Sequence, residues 1–239
     1  MTERICKTER FLREKLAESP YFVKNPEAGA YRLEHSIRVA RIAGDIAKAE
    51  GMDEEAAVIA GLMHDVSYCM EFDGEDDWKN HGRTAVRIAR PFLTTLGLAE
   101  ETVGEILYGI AIHVDGEADF EGERTPFALT VGDADNIDRF DVYRLYETLE
   151  NAGYSRQSLA EKCAFTGRTL ERLERFLRIE LATPAATALW QERIGFYRDF
   201  YLRLRSQLFA SAGYLGEEQD EPASLPIVNE NLIGLSGHF

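Results

Sequence analysis

Residues 53–69 read DEEAAVIAGLMHDVSYC, and helical spacing runs through the whole stretch. Asp53 has the side chain of an N-cap, and Ala57, Ala60, Gly61, His64 and Asp65 follow it at i, i+3, i+4, i+7 and i+8. That pattern is one face of an amphipathic helix, expected from Glu54 to about Cys69. Small residues on the face allow a second helix to come close. Two polar residues, His64 and Asp65, then arrive on the same stripe.

The neighbouring segments repeat the helical reading. Thr2 can cap a first helix that Ser19-Pro20 stops, and Asn25-Pro26 turns the chain. From Tyr31 to Glu50 the residues Ile37, Ala40, Ile42, Ala43, Ile46 and Ala47 recur at helical spacing, and Gly51 is placed to end the run. Downstream lies an acidic loop, Glu71 to Asp77, after which Asn80 can cap a helix through Ala85, Ile88 and Phe92 to Gly97. Another helix reads from Glu100 to His113, and a second acidic loop spans Asp115 to Glu123. Thr125-Pro126 is an N-cap followed by proline at the first helical position, opening a helix from Phe127 to about Leu149. Ser155–Ala164, Arg168–Leu181 and Pro184–Ala212 read as three more, the last rich in Trp, Tyr and Phe. Strand alternation is nearly absent. The expected fold class is all-α, with one domain over residues 1–212 and an irregular tail over 213–239.

The 239 residues carry a net charge of −15, with 45% hydrophobic and 29% charged residues, a composition that fills a core and stays folded. A surface this acidic repels phosphate backbones and anionic lipid, which argues against nucleic-acid or membrane partners. No run approaches the roughly 18–20 apolar residues of a membrane span. The N-terminal MTERICKTERFLREKL mixes charges through every turn, unlike a secretory signal. Cys6, Cys69 and Cys163 are odd in number and far apart, so a reducing, cytoplasmic location is expected rather than a disulfide framework.

A bare His-Asp dipeptide says nothing alone, and a single histidine on an apolar helix face is usually a satisfied core residue. The order His35, His64-Asp65, His81, His113, Asp135 says more. The islands HSIRVA (35–40), AGLMHDVSYC (60–69), NHGRTA (80–85), YGIAIHVDG (108–116) and GDADNID (132–138) resemble the HD-domain metal-dependent phosphohydrolase superfamily. The resemblance covers roughly residues 30–145, and the final helix is similar to the closing helix of small bacterial members. It implies an HD-type helical bundle with additional C-terminal helices at 155–212. It also implies that His35, His64, Asp65 and Asp135 hold one metal, with His81 and His113 joining around a bridging Asp65 where two bind. Imidazoles with carboxylates suit Mn, Fe, Co, Ni or Zn better than Ca. Asp133 and Asp135 stand about 200° apart on a helix and cannot both face one ion. The family pattern selects Asp135, leaving Asp133 as the alternative.

Cations for a substrate phosphate are sparse. Arg38, one turn after His35, is the first candidate; Arg139, Lys79 and Arg83 follow, each with a solvated surface charge as its plain alternative. Many members carry a lysine shortly after the His-Asp pair, whereas this chain has Val66-Ser67-Tyr68-Cys69, which makes Tyr68 a candidate pocket residue. The acidic loops 70–79 and 114–124 are read either as walls of a site or as solvated connections. His238, near the chain end, is read as uninvolved.

The expected activity is hydrolysis of a small phosphate ester or anhydride, a nucleotide by resemblance, with one or two ions activating water and Asp65 accepting its proton. A mixed-valent di-iron oxygenase with the same ligand order and a non-catalytic nucleotide-binding module are the alternatives. The aromatic final helix and the tail are candidates for a homodimer contact.

Overall fold

The chain is described here from a computed structural model covering residues 1–213; the expected tail and His238 lie outside the described residues. The architecture is all-α. In order come α1 (Glu3–Ala17), α2 (Pro20–Lys24), α3 (Pro26–Ala49), α4 (Glu54–Met63), α5 (Glu75–Leu93), α6 (Glu100–Ile112), α7 (Pro126–Asp138), α8 (Val142–Asn151), α9 (Leu159–Phe176) and α10 (Pro184–Ala210). The described residues form two compact units, 1–138 with 181–186, and 139–180 with 187–213.

In the first unit, α3 packs on α4 and α7, and α6 lies against α5, α7 and α4. Capping fixes the helix starts: Thr2, Ser19 and Asp53 each accept a backbone N–H from three residues on. Thr125 does the same for Ala128 at the head of α7. The core between these helices buries Ile46, Ile59, Met63, Ile106, Leu107, Ile110 and Ile137 completely or nearly so. Each such side chain contributes roughly 1.5–3 kcal/mol of transfer free energy. Two crossings are closed by glycine. A Cβ on Gly61 would come within 2.6 Å of Ala40 Cα, so α4 touches the α3 backbone there. A Cβ on Gly82 would meet the Ala111 and Ile110 carbonyls at 2.7 and 2.8 Å, so α5 presses on the end of α6. Both contacts lie beside a histidine.

The second unit centres on aromatic residues. Phe140 meets Phe176, Trp190 and Tyr197 edge-on at centroid distances of 5.6, 5.2 and 5.4 Å. The buried Trp190 indole N–H donates to the Phe176 carbonyl (2.7 Å).

Several boundaries differ from the sequence expectation. α3 begins at Pro26 rather than Tyr31, because proline is well suited to a first helical position. α4 stops at Met63; His64 is its C-cap, and Val66–Cys69 is a 3-10 turn, so the chain leaves α geometry at the His-Asp pair. Much of the expected loop 70–79 is helical: α5 starts at Glu75, with Glu75, Asp76 and Asp77 favoured by the helix dipole, and Asn80 lies inside it. The expected helix from Phe127 to Leu149 breaks at 139–141, where Asp141 caps α8. The two expected helices at 155–164 and 168–181 are one, α9, opened by a Ser158–Glu161 capping box.

Candidate metal centre

Four imidazoles converge on one carboxylate. His35 comes from the middle of α3, His64 caps α4, His81 lies in the second turn of α5, and His113 caps α6. Asp65 Oδ2 is 3.5 Å from His35 Nε2 and 3.4 Å from His64 Nε2. Asp65 Oδ1 is 3.2 Å from His81 Nε2 and 3.6 Å from His113 Nε2. Asp135, on α7, brings Oδ1 to 3.2 Å from His35 Nε2 and 3.9 Å from His64 Nε2. The result is two adjoining groups of donors. His35, His64, Asp65 and Asp135 surround one point, and His81 and His113 face the other oxygen of Asp65. Their Nε2 atoms are 3.0 Å apart.

Second-row contacts fix which nitrogen faces inward. His64 and His113 direct Nδ1–H at the carbonyls of Gly61 and Ile110 three residues back, at 2.8 and 2.7 Å. His81 does the same to Trp78. His35 instead meets Asp138 through Nδ1 at 2.8 Å, and Asp138 is in turn gripped by Arg38 through Nε and Nη2 at 2.8 and 3.1 Å. Imidazoles held this way present their remaining nitrogen as a ligand.

The electrostatics suit a cation. His64, Asp65, His35 and Asp135 are all buried, and His64 Nε2 and Asp65 Oδ1 make no hydrogen bond. Buried polar atoms without partners are costly, and an ion would satisfy both. Burial alone would push the Asp65 carboxyl up, but His64 and the Arg32 guanidinium outweigh it and hold the group well below the usual carboxylate range. Burial likewise works against a charged His35, yet hydrogen bonds to Asp135, Asp138 and Asp65 push it up to about 10. Two overlapping sets, His35–His64–Asp135 and His64–Asp65–His113, have ligand atoms close enough together to hold one ion. The donors therefore fit a transition metal on geometry and chemistry alike.

The other sequence candidates are placed as follows. Asp133 turns away from the centre and accepts the Ala182 N–H at 2.9 Å, so Asp135 is the inward acid. Arg38 is engaged with Asp138. Lys79 pairs with Glu75 (2.7 Å) on the exposed side of α5. Arg83 binds Asp115 at 2.9 and 3.0 Å and the Glu117 carbonyl, which ties α5 to segment 114–124. Arg139 falls past the end of α7, in the second unit. Tyr68 does stand at the centre: its ring lies 5.4 Å from that of His81, beside Phe72 and Trp78 at 5.0 and 5.4 Å.

Sequence reasoning missed Arg32 and Asp138. Arg32 forms an ion pair with Asp65 Oδ2, and its guanidinium lies 3.4 Å from the Tyr68 ring centroid. The available signal was helical spacing, since Arg32 precedes His35 by three residues and Asp138 follows Asp135 by three.

Among the described residues no helix is long and apolar enough to cross a membrane. Comparison with known proteins agrees with the geometry. The HD domain family matches residues 32–140. Ribonuclease Y of Thermus thermophilus is 28% identical over 163 residues, 68% of this chain but 23% of that protein. Ribonuclease Y of Mycoplasma mycoides is 38% identical over 60 residues, 25% of this chain and 14% of that protein. The chain thus spans about a quarter or less of these relatives. The crystal structure of a predicted HD superfamily hydrolase from an uncultured Thermotogales bacterium superimposes with a TM-score of 0.55 at 19% identity, covering 84% of this chain and 90% of that one. The His-Asp centre lies inside the stretch 32–140 that matches the HD domain family, so that part of the chain is similar to an HD domain.

Proposed function

We propose that the chain is a metal-dependent phosphohydrolase acting on a small phosphate ester or anhydride, with a nucleotide as the favoured substrate class. The observation that carries this reading is the Asp65 carboxylate set among four imidazole Nε2 atoms at 3.5, 3.4, 3.2 and 3.6 Å. A divalent Mn, Fe, Co, Ni or Zn ion, alone or as a pair, supplies Lewis acidity and an acidified water to such a centre. The chain's own part is to hold the ligands. His35, His64, Asp65 and Asp135 would hold one ion, and His81 and His113 would join Asp65 in holding a second. Asp65 Oδ1, which makes no hydrogen bond, is the acceptor proposed for the proton of the attacking water.

Two features support a small substrate. The net charge of −15 disfavours a polyanion, and segment 114–124 brings Asp115 and Asp119 close to α5. Tyr68, Phe72 and Trp78 give a planar group a stacking surface next to His81. Ribonuclease Y is by its name an RNA-degrading protein, so RNA belongs in the substrate panel.

The test is release of phosphate or pyrophosphate from a nucleotide panel with Mn or Co. Release is expected for the wild type and is expected to vanish in His64→Ala and Asp65→Ala. Equal rates in those variants would remove the proposal, and saturable binding without turnover would favour a nucleotide-binding module. A second reading, a di-iron oxygenase, draws on His81 and His113 both facing Asp65 Oδ1. Two irons per chain with an EPR signal would favour it over hydrolysis.

A further inference from the structure

We infer that Arg32 is an internal counter-ion that competes with the metal for Asp65 and so sets the affinity of the centre for its ion. The inference rests on the metal-binding reading above and concerns a residue outside the ligand set.

The guanidinium Nη1 is paired with Asp65 Oδ2, the same oxygen that lies 3.5 and 3.4 Å from His35 and His64 Nε2. The Arg32 side chain is only 17% exposed and that of Asp65 4%, so the pair is shielded from water. A cation–π contact stabilises the cation there: the Tyr68 ring centroid is 3.4 Å from Arg32 Cζ, with Tyr31 at 5.8 Å on the neighbouring helical position. A buried carboxylate needs compensating charge whether or not an ion is present. Arg32 supplies it in the metal-free chain. An ion among His35, His64, Asp65 and Asp135 draws on the charge of the same Oδ2 atom and is repelled by a guanidinium at contact distance. The two cations therefore share one anion. Binding the metal requires Arg32 to loosen its hold on Asp65 while Tyr68 retains it nearby.

The opposite possibility is that Arg32 merely orients Asp65 as a ligand. The two differ in sign. Calorimetric titration with Mn or Co is expected to show about tenfold or tighter binding for Arg32→Gln than for wild type. Arg32→Lys, a flexible point charge without the planar guanidinium fork, should fall between them. The metal-free Arg32→Gln protein should also melt lower than wild type, and that loss should disappear in an Asp65→Asn background. Equal or weaker metal binding in both Arg32 variants would overturn the inference, as would a melting loss unaffected by Asp65→Asn. If wild type and variants alike bind none of the metals while the melting cycle behaves as stated, the metal reading fails and only the counter-ion role survives.

Discussion

At the scale of single residues, the centre depends on groups that never touch an ion. Asp138 holds His35 by Nδ1 and is itself held by Arg38, so Asp138→Asn removes the charge that orients the ring. Metal affinity is expected to fall about 10–100-fold by titration calorimetry, with the fold retained. The same measurement reads the proton on His35. With its group pushed up to about 10, metal-free His35 is charged at neutral pH and must release about one proton to become a ligand. Titrations in buffers of different ionisation enthalpy should show that release, and the apparent affinity should rise with pH. The sign for stability is opposite. A raised histidine stabilises the metal-free fold fully below about 6.5, and that contribution is lost as pH rises through about 10. The candidate histidines could be picked out because their order matched a known pattern, and positions 133 and 135, about 200° apart on a helix, do point different ways, Asp133 to the Ala182 N–H and Asp135 to His35. Helical spacing places Arg32 beside His35 and Asp138 beside Asp135, but spacing within a helix does not name a charged residue's partner across the bundle, which is why neither was singled out.

At the scale of elements, the histidines are delivered by helix ends and by close helix crossings. Gly61 lies against the Ala40 backbone, and its carbonyl receives the His64 Nδ1–H. Gly61→Ala is expected to cost about 1–3 kcal/mol in chemical denaturation and to weaken metal binding together with it. Gly104, an exposed α6 glycine whose added Cβ meets nothing, is the control; Gly104→Ala should gain up to about 1 kcal/mol. On the outer side of α7, burial pushes Asp133 up to about 6, with the Ala182 N–H opposing it. A carboxyl raised above its unfolded value is protonated more readily in the folded chain, so stability falls as pH rises from about 4 to 6. Asp133→Asn is expected to flatten that part of the pH–stability curve, and an unchanged slope would contradict the assignment. Helix starts were legible from Thr2, Asp53 and Thr125, whose side chains cap as read. Helix breaks were not. Nothing in the periodicity of 54–69 or 127–149 marks where packing ends the α geometry, at His64 in one case and at 139–141 in the other.

At the scale of the whole molecule, an acidic helical protein concentrates the imidazoles of its described residues, His35, His64, His81 and His113, around one buried carboxylate. Outside that point the carboxylates are mostly exposed and solvated; inside it, three are buried in contact with His35. That contrast is the reason to read the centre as a place for a cation rather than as one more acidic patch. The all-α class and the HD pattern followed from spacing and order in the sequence. The grouping of the described residues into two units did not, since it depends on where long-range contacts thin out.

Metal content of dialysed protein, measured by elemental analysis after loading with Mn or Co, bears most directly on this account. Wild type is expected to retain one or two ions per chain, and His64→Ala and Asp65→Ala to retain none. Wild-type protein without metal, or variants that keep as much as wild type, would contradict it.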